Sequence, residues 1–171
     1  LDAVGMRRLP EALRLVDSLL MKGESLVPIW YMLSRQLRDF RLLHDIARDR
    51  PDLGRPLLEK LRAIRQLAGK TDFKSNQDRK NLTESIQKEA GGWPPLLAES
   101  LGIEQAMRVR SLAAATGYTH AELVRLAPRL VEMDAAVKKS PPNEALLLQR
   151  FLAEVITGKR HQPPDEDVGG W

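Results

Sequence analysis

The sequence contains no cysteine, which excludes disulfide staples, thiolate metal ligands and cysteine nucleophiles. It has no apolar run near the roughly 20 residues that a bilayer-spanning helix needs. A secretory signal, with its basic start, apolar stretch and small-residue cleavage site, is also missing. A reducing, cytoplasmic setting is expected. Alternation of apolar and polar residues, the mark of a half-buried strand, is absent too. What is present is 171 residues, 43% apolar and 29% charged. That is enough for one domain with a real core, of ordinary globular composition. The first residue is Leu1 and not Met, so the chain reads as a fragment of a longer protein.

The formal charge of +4 is unevenly spread. Between Val27 and Lys80 there are 13 Lys and Arg against 7 Asp and Glu, a local excess of +6. The end of the chain, "PPDEDVGGW", is acidic. A basic half attracts nucleic acid, although such an excess is more often a solvated helix face.

Helical periodicity dominates, so the fold class is all-α. A helix is expected from Pro10, at its opening turn, to Met21, with a stop at Gly23. A second starts near Pro28, with Ser25 as its cap, and continues to Asp49. Pro51, Gly54 and Pro56 punctuate the chain before "PLLEKLRAIRQLA" (56–68), a third helix. The polar "GKTDFKSNQDRK" reads as an exposed loop and "NLTESIQKEA" (81–90) as a short helix ended by Gly91 and Gly92. "WPPLLAESLG" and "IEQAMRVRSLAAATG" give two more. Thr119 and Glu122 form a capping box before a helix reaching Lys139, with a kink expected at Pro128. "PPNEALLLQRFLAEVITG" is the last helix. The domain therefore spans 1–158, and residues 159–171 read as a disordered acidic tail.

On a helical wheel, Leu26, Ile29, Trp30, Leu33, Leu37, Phe40, His44 and Ala47 share one arc, widened by Met32 and Leu43. Arg35 and Arg38 point away, to solvent or to a partner. Gln36 falls inside the widened arc and needs a hydrogen-bond partner if buried. It is either a core glutamine bonded to a loop carbonyl or, with Arg35, part of a subunit boundary. Asp134 and Lys138 lie on the arc of Leu123, Ala127 and Leu130, in the favourable order for an intrahelical pair. They form either a partly buried pair kept for geometry or a rim pair reaching water. In the last helix Leu147, Leu148, Phe151, Leu152, Val155 and Ile156 face a core, and Arg150 and Glu154 are expected to pair outside.

Catalytic motifs fail on inspection. Gly69-Lys70-Thr71 would need a glycine at 64 to make a phosphate loop, where the chain has Ile64, and would have to follow a strand. His44-Asp45 matches the His-Asp step of helical metal-dependent phosphohydrolases, but no histidine precedes it, and His44 lies on the apolar arc. His120, in a first turn, and His161, in the tail, complete no metal set. No nucleophile–base–orienter group can be argued from spacing. Neither enzyme activity, a metal nor a cofactor is expected.

One resemblance covers about three quarters of the chain. "LPEALRLVDSLLMKGESLVPIWYMLSRQLRDFRLL" is an Ala/Leu-rich helix, a Gly-Glu turn, then Leu-x-Arg-Gln-Leu-Arg. It resembles the start of the C-terminal helical domain of the delta subunit of bacterial DNA polymerase III, the clamp-loader wrench. "YTHAELVRLAPRLVEMDAAVKKSPPNEALLLQRFLAEVI" is similar to the last two helices of that domain, with Asp, three residues, Lys, a turn and a Leu-rich helix. "WPPLLAESLGIEQAMRVRSLAAATG" occupies the place of the helix pair between them. Two departures stand out. Residues 49–92 are longer and more basic than the family pattern and read as a lineage-specific helical insertion. Lys139–Ser140 stand where a glycine usually follows the lysine.

The resemblance implies a helical oligomerisation domain that joins the delta-prime and gamma/tau subunits in a closed collar during DNA replication, with no ATP site of its own. Arg35, Gln36 and Arg38 are then the candidate partner-interface residues, and DNA contact by the fragment itself is weak. The rival reading is a basic helical nucleic-acid-binding module built on residues 27–80. The insertion is expected to dock on the outside, so that deleting residues 52–90 would leave a cooperatively melting protein.

Overall fold

The computed structural model describes residues 2–70, 81, 84, 88, 106–139 and 143–158. Every regular element among them is helical. In chain order these are α1 (Asp2–Gly5), α2 (Leu9–Met21), α3 (Leu26–Asp49), α4 (Pro51–Lys70), α5 (Ala106–Ala113), a 3₁₀ turn (Ala114–Gly117), α6 (His120–Val137) and α7 (Glu144–Thr157). Asn81, Glu84 and Lys88 are helical, at the place expected for the 81–90 helix. The rest of that helix, the loop beyond Lys70, the helix begun by Trp93 and the tail after Gly158 lie outside the described residues.

The expected start and stop signals act as their chemistry requires. Ser25 Oγ accepts the Val27 N–H at 3.3 Å and opens α3. Thr119 and Glu122 complete a reciprocal capping box at α6, each side chain accepting from the other's backbone N–H. Two glycines close helices from the left-handed region that L side chains avoid, Gly23 at φ +73° and Gly158 at φ +70°. Pro128 leaves α6 a single helix from His120 to Val137.

Helix α3 is the spine, packed on α4, α5, α6 and α7, while α2 lies along α7. Trp30, Leu33, Leu37, Phe40 and Leu43 of α3 are buried, as their arc predicts, but Met32 is exposed. Trp30 meets Phe151 of α7 edge-on at 5.3 Å, and Phe40 stacks at a tilt on Tyr118 at 5.5 Å. His44 is a satisfied histidine, with Nε2 3.1 Å from the Ala115 carbonyl.

Two expectations fail here. Helix α4 does not ride on the outside: Leu57, Leu61 and Ile64 are buried in the same core as α3 and α5. It also starts earlier than its prolines indicated, because Pro51 takes the first helical turn, where no N–H is required. Arg150 and Glu154 do not pair. Glu154 is only 4% exposed, and its Oε2 accepts Arg129 Nε of α6 at 3.2 Å, since α7 turns this flank toward α6.

The joint between α3 and α4 is one residue long. Arg50 caps α3, and its carbonyl accepts the N–H groups of Leu53 and Gly54 at 3.1 and 2.8 Å. The hairpin closes so tightly that a Cβ at Gly54 would lie 2.1 Å from Ala47 Cα. The neighbouring atom is backbone and cannot swing aside. Gly54→Ala should therefore destabilise the fold by about 1–3 kcal/mol through overpacking, although alanine is the better helix former. Urea denaturation of the two proteins would read this difference.

Candidate functional site

Of the three residues expected at a partner interface, two are on the surface. Arg35 is exposed and has no ion pair or hydrogen bond among the described residues. Arg38 is exposed, with Nε donating to the Ser34 carbonyl at 3.2 Å. They fall on one side of α3 with Val27, Tyr31 and Leu42, all exposed. This spacing repeats every three or four residues and makes one continuous helix face.

Gln36 does not belong with them. It is 4% exposed, and its Nε2 donates to Ser111 Oγ of α5 at 3.1 Å. Its Oε1 has no partner among the described residues. One residue's step around the helix carries it from the arginine face into the α3–α5 contact. It is a core glutamine, paired with a helix hydroxyl in place of the expected loop carbonyl.

The arginine face adjoins the end of α6. Trp30 Nε1 donates to Asp134 Oδ1 at 3.4 Å, across the α3–α6 contact. Lys138 Nζ bonds Asp134 Oδ2 at 2.6 Å, with both side chains largely in water. Asp134 and Lys138 are thus a rim pair. The Lys138 ammonium, the Trp30 N–H and the positive charge of Arg38 hold the Asp134 carboxyl below the usual aspartate range.

Helix α6 carries a second outward face that the sequence reading missed. Ala121, Val124, Pro128, Val131 and Ala135 are all exposed, Val131 to 71%. At 100° per residue they occupy an arc of about 80°. Arg125 and Glu132, also exposed, border it on one side. The face covers some 14 residues of rise, roughly 21 Å. Its signal was present in the sequence as a second apolar stripe, offset from Leu123, Leu126, Met133 and Val137, which are buried.

The remaining ionisable side chains are mostly matched. Arg48 bonds Asp49, Arg50 bonds Asp52, and Arg41 pairs with Asp45. His120 Nε2 lies 2.8 Å from Asp45 Oδ1. Among the described residues no three His, Asp or Glu side chains gather to hold a metal ion, and no helix is long and apolar enough to cross a membrane. Comparison with protein-family models, curated proteins and solved structures found no match.

Proposed function

We propose that the chain is a subunit-association domain of the type that closes the collar of a bacterial clamp loader, equivalent to the C-terminal helical domain of the DNA polymerase III delta subunit. Its partners in this reading are the helical domains of delta-prime and gamma/tau, and its setting is cytoplasmic DNA replication. The observation that carries the proposal is the outward face of α6. Five apolar positions along one side of the helix are exposed there, beside a rim of Arg125 and Glu132. Contiguous apolar patches rimmed by polar residues mark interaction surfaces. The order and spacing of the quoted segments supply the identity of the partner.

Three predictions separate this reading from its rival. The protein should co-elute on a sizing column with the helical C-terminal domains of delta-prime and gamma/tau, at low and at high salt, but not with the sliding clamp. The double variant Val124→Asp, Val131→Asp should lose that co-elution while melting within a few degrees of the parent, because both side chains are already in water. Arg35→Glu with Arg38→Glu should weaken association and spare stability, since exposed charges add little to folding. Absence of co-elution at either salt, with tight salt-sensitive DNA binding instead, would favour a basic nucleic-acid-binding module.

A further inference from the structure

Away from the α3 and α6 faces, three arginines converge on a surface cavity of about 430 Å³ lined by Met6, Arg8, Arg62, Arg65, Gln66 and Thr116. Arg62, Arg65 and Gln66 stand at spacings of three and four residues on one side of α4. Arg8 comes from the link between α1 and α2, and Thr116 from the 3₁₀ turn. Arg65 is half-buried, and its guanidinium lies against Gly117, where a Cβ would come within 2.5 Å of Nη2. A side chain at Gly117 would push the guanidinium aside.

Two of the three arginine charges in this cavity are unanswered among the described residues. Among the described residues neither Arg62 nor Arg65 makes an ion pair or hydrogen bond, whereas Arg48 and Arg50 each have an adjoining aspartate. Among the described residues the one acid that pairs with the group is Glu11, 3.4 Å from Arg8 Nη1, and both of those side chains are well exposed. Arg7, next in the chain, is neutralised by Glu122 and contributes no compensating acid. Guanidinium groups that line one recess repel one another, and an anion relieves the arrangement. The fork of an arginine matches the oxygens of a phosphate two at a time. The recess also lies within the size range of small-ligand sites.

We propose that this cavity is a phosphate-binding site, with Arg62 and Arg65 as the principal donors, Arg8 and Gln66 completing the ring and Met6 as an apolar wall. The chemistry recognised is a phosphate ester or diester, supplied either by a nucleic-acid backbone or by a small phosphate compound. The site is separate from the association surface, so loss of one function leaves the other standing.

The test uses the whole chain and two probes, a fluorescein-labelled single-stranded oligothymidylate followed by anisotropy and pyrophosphate followed by calorimetry. Arg62→Gln with Arg65→Gln should weaken binding at least about tenfold, the scale of one lost charge-assisted bond. It should also lower the slope of log affinity against log salt for the oligonucleotide by about 1.4. Arg14→Gln with Arg150→Gln removes the same formal charge at exposed positions elsewhere and should leave pyrophosphate binding within about twofold, by the weakness of screened surface charges. Arg62→Gln alone, at an exposed position, serves if the double variant fails to fold. Oligonucleotide binding that pyrophosphate displaces assigns the site to a nucleic-acid backbone. Pyrophosphate binding without oligonucleotide binding assigns it to small phosphates. Absence of binding by either probe, or binding that the Arg62 and Arg65 changes leave intact, overturns the proposal.

Discussion

Deleting residues 52–90 and bridging the gap with a short linker should abolish cooperative unfolding. The deletion removes Leu57, Leu61 and Ile64, whose side chains are buried against α3, α5 and the 3₁₀ turn. Each contributes about 1.5–3 kcal/mol of burial, so the three together approach the whole stability of an ordinary domain, about 5–15 kcal/mol. The loss is not confined to those side chains. Phe40 and Leu43 of α3 are fully buried, and α4 is one of the helices packed on α3. The expected product keeps much of its far-ultraviolet helix signal but melts without a sharp transition and binds hydrophobic dyes. A sharp calorimetric peak from the deleted protein would show that α4 is an accessory to the core. The same logic scales down to one residue, because Leu61→Ala should cost about 2–5 kcal/mol.

The difference between this outcome and the sequence reading has a physical origin. Proline and glycine were read as breaks at 51, 54 and 56, which set the third helix apart from the second. In the fold these residues do other work. Pro51 occupies the first turn of α4, and Gly54 lets α3 and α4 close into a hairpin. Periodicity located the apolar face of α4 correctly, as Leu57, Leu61 and Ile64 at spacings of four and three, but periodicity does not say which helix a face meets. The same limit explains Glu154. Its spacing from Arg150 fits an intrahelical pair, yet the competing partner Arg129 is 25 residues away in sequence. Local signals were read more fully: the Ser25 cap, the Thr119–Glu122 capping box, the glycine stops and the α3 arc all depend on residues within one or two turns. The proposed association surface was half legible. Arg35 and Arg38 were placed on the outside by the wheel, while Gln36, one step around, needed Ser111 from a distant helix to fix its role. The phosphate cavity draws on three separate parts of the chain, and no local pattern announces it.

The largest effect of a single polar side chain is expected at Arg7. Its backbone sits in the left-handed region, at φ +57°, the one residue other than glycine to do so among those described. That conformation costs roughly 1–2 kcal/mol for a residue with a Cβ, so the side chain must return more than it costs. Arg7 Nε donates to the Gly117 carbonyl at 2.8 Å, Nη1 to the Ile156 carbonyl at 3.1 Å, and Nη2 to Glu122 Oε1 at 2.8 Å. The guanidinium also lies 4.3 Å from the centre of the Tyr118 ring. Tyr118 in turn donates to the Val4 carbonyl at 2.7 Å, and burial pushes its phenol up to about 12. One side chain thereby ties the N-terminal segment to the 3₁₀ turn, the start of α6 and the end of α7. Arg7→Ala leaves two carbonyls unanswered and removes one of the bonds to the Glu122 carboxylate, which keeps those from Thr119, and should cost about 1–3 kcal/mol. Arg7→Gly should recover about 1 kcal/mol of that loss, because glycine accepts the left-handed backbone without strain. The pH dependence has a definite sign. Burial pushes the Glu122 carboxyl up, but hydrogen bonds from Arg7 and from the Thr119 backbone and hydroxyl outweigh it and hold the group below the usual glutamate value. A depressed carboxylate stabilises the fold fully above its unfolded pKa, near 4.3 for glutamate, and loses that contribution as pH falls through the lower folded value. The parent protein should therefore lose stability on acidification below about pH 4, and Arg7→Ala should lose less over the same interval, having already forfeited the largest of the bonds that depress Glu122. Guanidinium melts of the parent and the two variants at neutral and acid pH would read both effects, and an Arg7→Ala protein as stable and as acid-sensitive as its parent would show that the four-way contact contributes nothing.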